Sequence, residues 1–218
     1  DYDNQFRKYE WIELDLIRNT SDFRPESYRP KNFMLNDLIS YGIIKADGNA
    51  WVERRKFVLK NIYTNLEQLI AEAKNKDIRT SLAVFKPTKI IDFIYQETDR
   101  EWKKEKINFL KNKKLQLNLF ENIEQNDIDE FEIVDKLPYK FSFKFEDDAR
   151  KESTLMIEDW ETGMLFWHSL ERNEGNEYKA CEDVKKKYFE DFAKTKDYYF
   201  LLGTTKRFHY TAPNPFVI

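Results

Sequence analysis

Apolar and polar residues alternate from Trp11 to Ile17, with Ile12, Leu14 and Leu16 set against Glu13 and Asp15, the two-residue period of a half-buried strand. The same period returns with aromatic side chains from Tyr139 to Phe145, where Phe141 and Phe143 alternate with Lys140, Ser142 and Lys144. Asp147-Asp148-Ala149-Arg150 then turns the chain, and Ser153 to Ile157 is expected to return as the hairpin partner. Thr80 to Phe85 and Lys89 to Gln96 are rich in β-branched and aromatic residues on either side of Lys86-Pro87-Thr88, which predicts two more strands. Tyr198 to Leu202 and Phe216 to Ile218 complete the expected strands, and Arg24 to Pro30, with two prolines, is expected to be a loop.

Helical spacing takes over elsewhere. Trp51, Arg54, Arg55, Val58 and Leu59 predict a helix within Ala50 to Asn61, and Thr64 with Glu67 forms a capping box ahead of Leu66, Leu69, Ile70 and Ala73. A third helix is predicted from Arg100 to about Lys114. Asp159 is the expected N-cap of a helix that puts Trp160, Gly163, Met164 and Trp167 on one face, and Tyr178 to Thr195 aligns Cys181, Val184, Tyr188 and Phe192. Both of these faces are expected to pack on a sheet. The pattern is that of an α+β protein: two small lobes of mainly antiparallel strands with packed helices, residues 1–98 and 138–218, joined by a basic helix and acidic linker over 99–137. The chain opens on Asp1 and closes on Ile218 inside an apolar run, so both ends read as trimmed and the second lobe as truncated at its last strand.

With 41% hydrophobic and 35% charged residues among 218, the chain has material for a core beneath a solvated surface. Its longest apolar runs fall far short of the roughly 20 residues that cross a bilayer, so no membrane partner is expected. A net charge of −3 argues against an all-over basic nucleic-acid wrapper but leaves local basic faces open. Cys181, the only cysteine, has no disulfide partner within the chain, which fits a reducing cytoplasm. His168 and His209 lack a Cys or His at zinc spacing, and the five glycines form neither GxGxxG nor a phosphate-binding P-loop, so no metal or cofactor is expected. Gly203 to Arg207 reads as a connecting loop.

Charge is unevenly spread. Lys103, Lys104, Lys106, Lys111, Lys113 and Lys114 face only Glu101 and Glu105 along the predicted third helix, a face suited to nucleic-acid phosphates. From Glu121 to Asp135 there are seven acids and no base. Between these runs stands Gln116-Leu117-Asn118-Leu119-Phe120, in which Leu117, Leu119 and Phe120 suit apolar pockets and Gln116 a polar rim. Arg24, Glu26, Ser27 and Arg29 form the most polar compact loop and are expected to bond among themselves. Glu158, Asp159 and Glu161 flank Trp160, where paired carboxylates suit Mg²⁺-assisted phosphodiester hydrolysis, although acids in a first helical turn equally complement its dipole.

The run Trp160-Glu161-x-Gly163-x-Leu165-Phe166-Trp167, with Phe200-Leu201-Leu202-Gly203-Thr204-Thr205 and Asn214 to Ile218, resembles a family of uncharacterised prokaryotic proteins. The resemblance extends through Arg24-Pro25-Glu26-Ser27-Tyr28 and Trp51-Val52-Glu53-Arg54-Arg55 and implies a shared fold without assigning an activity. Separately, residues 116–120 resemble the peptide by which bacterial replication and repair proteins dock on the sliding clamp, with Asn118 where Ser or Asp is commoner. The resulting expectation is an accessory binding protein of DNA metabolism, or of a mobile-element or defence system, that contacts DNA or a DNA-bound protein. The rival expectations are a metal-dependent nuclease using Glu158, Asp159 and Glu161, and a structural subunit of a larger complex.

Overall fold

The computed structural model of the chain describes residues 6–32, 35–48, 51–109, 112 and 134–218. At the N-terminal end, β1 (Glu10–Glu13) pairs antiparallel with β4 (Ile39–Ile43), and β2 (Leu16–Arg18) with β3 (Tyr28–Pro30). The single strand expected from Trp11 to Ile17 is therefore two, broken at Leu14-Asp15 so that each half finds its own partner. β3 occupies the end of the expected loop, with Pro30 on an edge strand where its missing N–H costs no ladder bond. Helix α1 (Val52–Val58) is shorter than its spacing predicts and buries no residue.

β5 (Ile62–Tyr63), α2 (Leu66–Lys74) and β6 (Leu82–Phe85) form a crossover unit, the two strands parallel and α2 burying Leu66, Leu69 and Ala73. Its cap differs from the expected box. Asn65, not Thr64, accepts the Gln68 N–H at 3.0 Å, while Thr64 Oγ1 donates to Asp148 at 2.7 Å and Glu67 pairs with Lys151.

Two sheets make the centre. β7 (Lys89–Glu97), β8 (Tyr139–Glu146) and β9 (Glu152–Met156) form an antiparallel three-stranded sheet, and β10 (Phe200–Thr204) joins β6 to β11 (Phe216–Val217) in the order β11-β10-β6-β5. Ile218 bridges them: its N–H donates to Met156 O at 2.8 Å, and its carbonyl accepts from Glu158 N at 2.7 Å. Phe141, Phe143 and Phe145 alternate inward along β8 and are buried, as their period predicts. Phe143 stacks on Phe200 at 5.2 Å, and Phe145 meets Phe85 edge-on at 5.4 Å, so the inner faces of the sheets join through one aromatic layer.

Helices α3 (Trp160–Arg172) and α4 (Glu177–Lys185) pack on each other and on this layer, Phe166 meeting Phe141 at 6.1 Å. Beyond α4 the chain continues as wider π-helical turns over Lys186–Ala193. The class is α+β, with several small, mainly antiparallel sheets and packed helices. β7 precedes residue 98 and pairs with β8, which follows 138, and β6 pairs with β10. Both central sheets thus draw strands from either side of the expected lobe boundaries. No helix among the described residues is long and apolar enough to cross a membrane.

Candidate functional site

A recess of about 1050 Å³ opens between the head of α3 and the two chain segments that flank the acid-rich run. One wall belongs to α3, which presents Trp160, Gly163, Met164 and Trp167, residues at helical spacing and hence on one stripe. The facing wall comes from residues 98–102 and 134–140, and the edge of β8 and the end of β9 supply Tyr139 and Met156.

Those two flanking segments are tied together by bonds that the local sequence does not announce. Thr98 N donates to Pro138 O at 2.8 Å, the Trp102 indole N–H donates to Val134 O at 2.8 Å, and the Lys136 ammonium donates to the Asp99 carbonyl. Arg100 reaches across to α4, bonding both Glu177 carboxylate oxygens at 2.5 and 2.9 Å, and Tyr139 donates to Glu177 at 2.9 Å. These bonds, Arg100 first, hold the Glu177 carboxyl down at about 2, so it stays charged and keeps the wall pinned at neutral pH. Burial and the bond to Glu177 push the Tyr139 phenol up to about 12. The anchored Trp102 lies where the recess adjoins a second hollow of about 640 Å³, rimmed by Lys103, Lys106, Lys136 and Arg207 but also by Asp99, Glu101 and Glu105. Lys106 sits over the Trp102 ring at 4.0 Å.

Of the predicted site residues, Glu158 and Asp159 line the large recess, while Glu161 points to Lys8 in an exposed ion pair at 2.9 Å. Among the described residues no group of three or more His, Cys, Asp or Glu is placed to hold a metal ion, so the three acids do not converge as a nuclease centre requires. Lys144, a lysine of the neighbouring β8, is paired with Glu152 across the sheet at 2.6 Å. Lys103 and Lys106 border the second hollow; Lys104 lies on the same short helical stretch, 104–109. Lys111, Lys113 and Lys114, and the Gln116, Leu117, Leu119 and Phe120 of the docking-type run, lie outside the described residues. Cys181 is buried, and that burial pushes its thiol up to about 12, far from a nucleophile's range. Trp102, Lys136 and Lys140 carry no motif; a lone tryptophan at the head of a lysine run was the one available signal.

The polar loop at Arg24 turns out to be a seam. Arg24 forks onto the buried Asp22 rather than Glu26, its Nη2 at 2.7 Å from Asp22 Oδ2, and its other arm donates to Thr204 O at 2.6 Å. Glu26 accepts from Ser81. Beneath them His209 is fully buried, with Nδ1 at 2.8 Å from Thr204 Oγ1 and Nε2 at 2.7 Å from Ala73 O. The carbonyl can only accept, so Nε2 carries a proton and donates to it, and the ring, bonded through both nitrogens, is a structural staple. Gly203 and Thr204 accordingly end β10, and Thr205 to Arg207 connect it onward.

Two family models match the chain: one described as Domain of unknown function (DUF8757) over residues 63–218, and one described as Domain of unknown function (DUF8758) over residues 1–60. The first runs through both expected lobe boundaries, and the second ends where the crossover unit begins. No curated protein and no solved structure matches the chain.

Proposed function

We propose that this chain, which belongs to the DUF8757 family, is an accessory binding protein of DNA metabolism or of a mobile-element or defence system, contacting DNA or a DNA-bound protein without bond-making chemistry of its own. The observation that supports the reading is the Trp102 corner. One anchored indole is shared by two adjoining hollows, and Lys103, Lys106, Lys136, Lys140 and Arg207 stand around them. Aromatic faces beside lysines are the elements by which bases and phosphates are held together. Carboxylates are interspersed with these cations, so phosphate attraction is diluted and the contact is expected to be of modest affinity. The clamp-type run at 116–120 adds a protein partner from its sequence alone.

Fluorescence anisotropy with labelled single-stranded, duplex and forked DNA, over a salt series, tests this reading. At least one form is expected to bind, and neutralising two to four phosphates of a single strand gives a log–log salt slope of roughly −1.4 to −2.8. Changing Lys103, Lys106 and Lys136 together to Ala is expected to flatten that slope. Purified sliding clamp is the parallel arm, with Leu119 and Phe120 both changed to Ala as its control. Silence from every DNA form and from the clamp would end the reading.

A further inference from the structure

We infer that β4 is an open edge that pairs antiparallel with β4 of a second copy of this chain. Its residues, Ile39-Ser40-Tyr41-Gly42-Ile43, are all exposed, and among the described residues only β1 is paired with it. From Leu38 to Ile44 there is no charge and no proline. An edge of that composition leaves backbone N–H and C=O groups unpaired with nothing to turn a partner away. Other sheet-edge strands are guarded: β1 carries Glu10 and Glu13, β3 carries Arg29 and Pro30, β5 is two residues long, and β7 carries Lys89 and Asp92 with α4 packed against it.

The flanks of the strand say what the partner is. Asp37 and Lys45 bracket the neutral run with opposite signs; both are exposed, and neither has an ion-pair partner among the described residues. Antiparallel pairing of two copies about a twofold axis at Tyr41 sets Ile39 against Ile43 and Ser40 against Gly42. The same register brings Asp37 of each copy opposite Lys45 of the other, so both ends of the paired strands are charge-matched. Parallel pairing in register would align like charges instead. The strand is also irregular: Tyr41 is an extra residue opposite the Trp11/Ile12 step of β1, and Gly42 has a φ of 100°. Such a bulge deters a regular strand, but a second copy bears the same bulge at the same place, and the two edges stay in step. Beside the edge, Tyr41 donates to Glu13 at 2.7 Å, Ile39 pairs with Glu13, and Trp11 meets Phe57 of α1 edge-on at 5.0 Å, so these four apolar side chains share a face. Each is 44 to 65% exposed, and each offers roughly 100 Å² to a partner. With the paired strands, that brings each copy near the roughly 500 Å² a side that a specific contact needs and leaves it short of the roughly 800 Å² of a standard interface, so the dimer is expected to be weak.

Sedimentation velocity on the full chain, without nucleic acid, tests the pairing. Over a concentration series reaching about twenty times a dissociation constant on the order of 10 μM, the mass is expected to rise from 26.5 kDa toward twice that value. Asp37→Lys alone, or Lys45→Asp alone, turns both matched ends into like-charge contacts and is expected to weaken the dimer about ten-fold. The double variant carrying both changes restores the match with signs reversed, and it is expected to regain the parent affinity. An equal mixture of the two single variants is expected to form a mixed dimer more tightly than either forms alone, because each then meets its opposite charge at both ends. Since Asp37 and Lys45 are exposed, the double variant and the mixture separate a lost contact from a damaged fold. A chain that stays monomeric throughout overturns the inference and leaves the edge to a strand of another protein. A dimer indifferent to the single changes, or one that the double variant fails to restore, overturns it as well. None of these outcomes bears on DNA contact, which is read separately by anisotropy.

Discussion

Asp22 is the only buried residue among the described part of the first sixty, and a carboxylate in that position requires a partner. Arg24 supplies it in a forked geometry, and the Arg24 bonds hold the Asp22 carboxyl at about 2. The Asp22 side chain is only 8% exposed, so solvent screening discounts little, and a shift of nearly two units from the usual carboxylate value corresponds to about 2 kcal/mol. Because the folded-state value is depressed, this stabilisation is fully present above the unfolded value of about 3.9 and is lost as pH falls through about 2. Asp22→Asn is expected to cost about 2 to 3 kcal/mol in urea unfolding at pH 6, with the gap to the parent chain closing as pH approaches 2. A gap that stays constant over that range would show that Asp22 acts through packing and not through its charge.

At the scale of elements, the strands were the most legible part of the chain. β8 buries Phe141, Phe143 and Phe145 because a strand's period is two and only one of its faces is aromatic. Helix α3 was harder to read, since two neighbouring stripes are both rich in large side chains. The stripe turned to the core is Thr162, Phe166 and Ser169, not the tryptophan stripe that its aromatic content predicted. Small residues decide this: they let the helix approach closely, and Thr162 Oγ1 satisfies itself on the Tyr188 hydroxyl at 2.9 Å. In the last helical segment, the expected line Cys181, Val184, Tyr188 and Phe192 is altered by the π turns, where Lys194 N bonds Phe189 O at 3.0 Å, five residues back, and Phe189 is brought into the core. The choice of stripe in α3 is measurable. Phe166→Ala is expected to cost about 3 to 5 kcal/mol, whereas Trp160→Ala should stay within about 0.5 kcal/mol, both read by denaturant midpoints at constant slope. Comparable losses at the two positions would contradict the assignment of faces.

The candidate recess was only partly legible, for a reason that belongs to the whole molecule: Trp102, Lys136 and Lys140 meet Trp160 only after the chain has closed over separations of 20 to 58 residues. No local period encodes that. The same scale governs how the N-terminal stretch is held. Its strands form two-stranded pairs, α1 buries nothing, and Trp11, Tyr28, Tyr41, Trp51 and Phe57 are exposed, so its described residues build no core of their own. What docks it is a small set of side chains: Arg24 on Thr204, Glu26 on Ser81, Phe23 against His209 at 5.0 Å and Tyr210 at 4.8 Å, Arg55 on Asp197 at 3.1 Å, and Lys8 on Glu161 at 2.9 Å. An element held by a seam opens at lower free energy than one threaded through the aromatic layer. Native-state hydrogen exchange on the intact chain is therefore expected to rank β1 and β4 amides as exchanging by local opening, well ahead of β7 and β8, whose protection should approach that of global unfolding. Phe23→Ala loosens the seam without touching the central sheets, so it should speed exchange in β2 and β3 while leaving β8 slow. If β1, β4 and β8 instead exchange as one cooperative unit, the N-terminal stretch is integral to the core and the seam is not a separable layer of the fold.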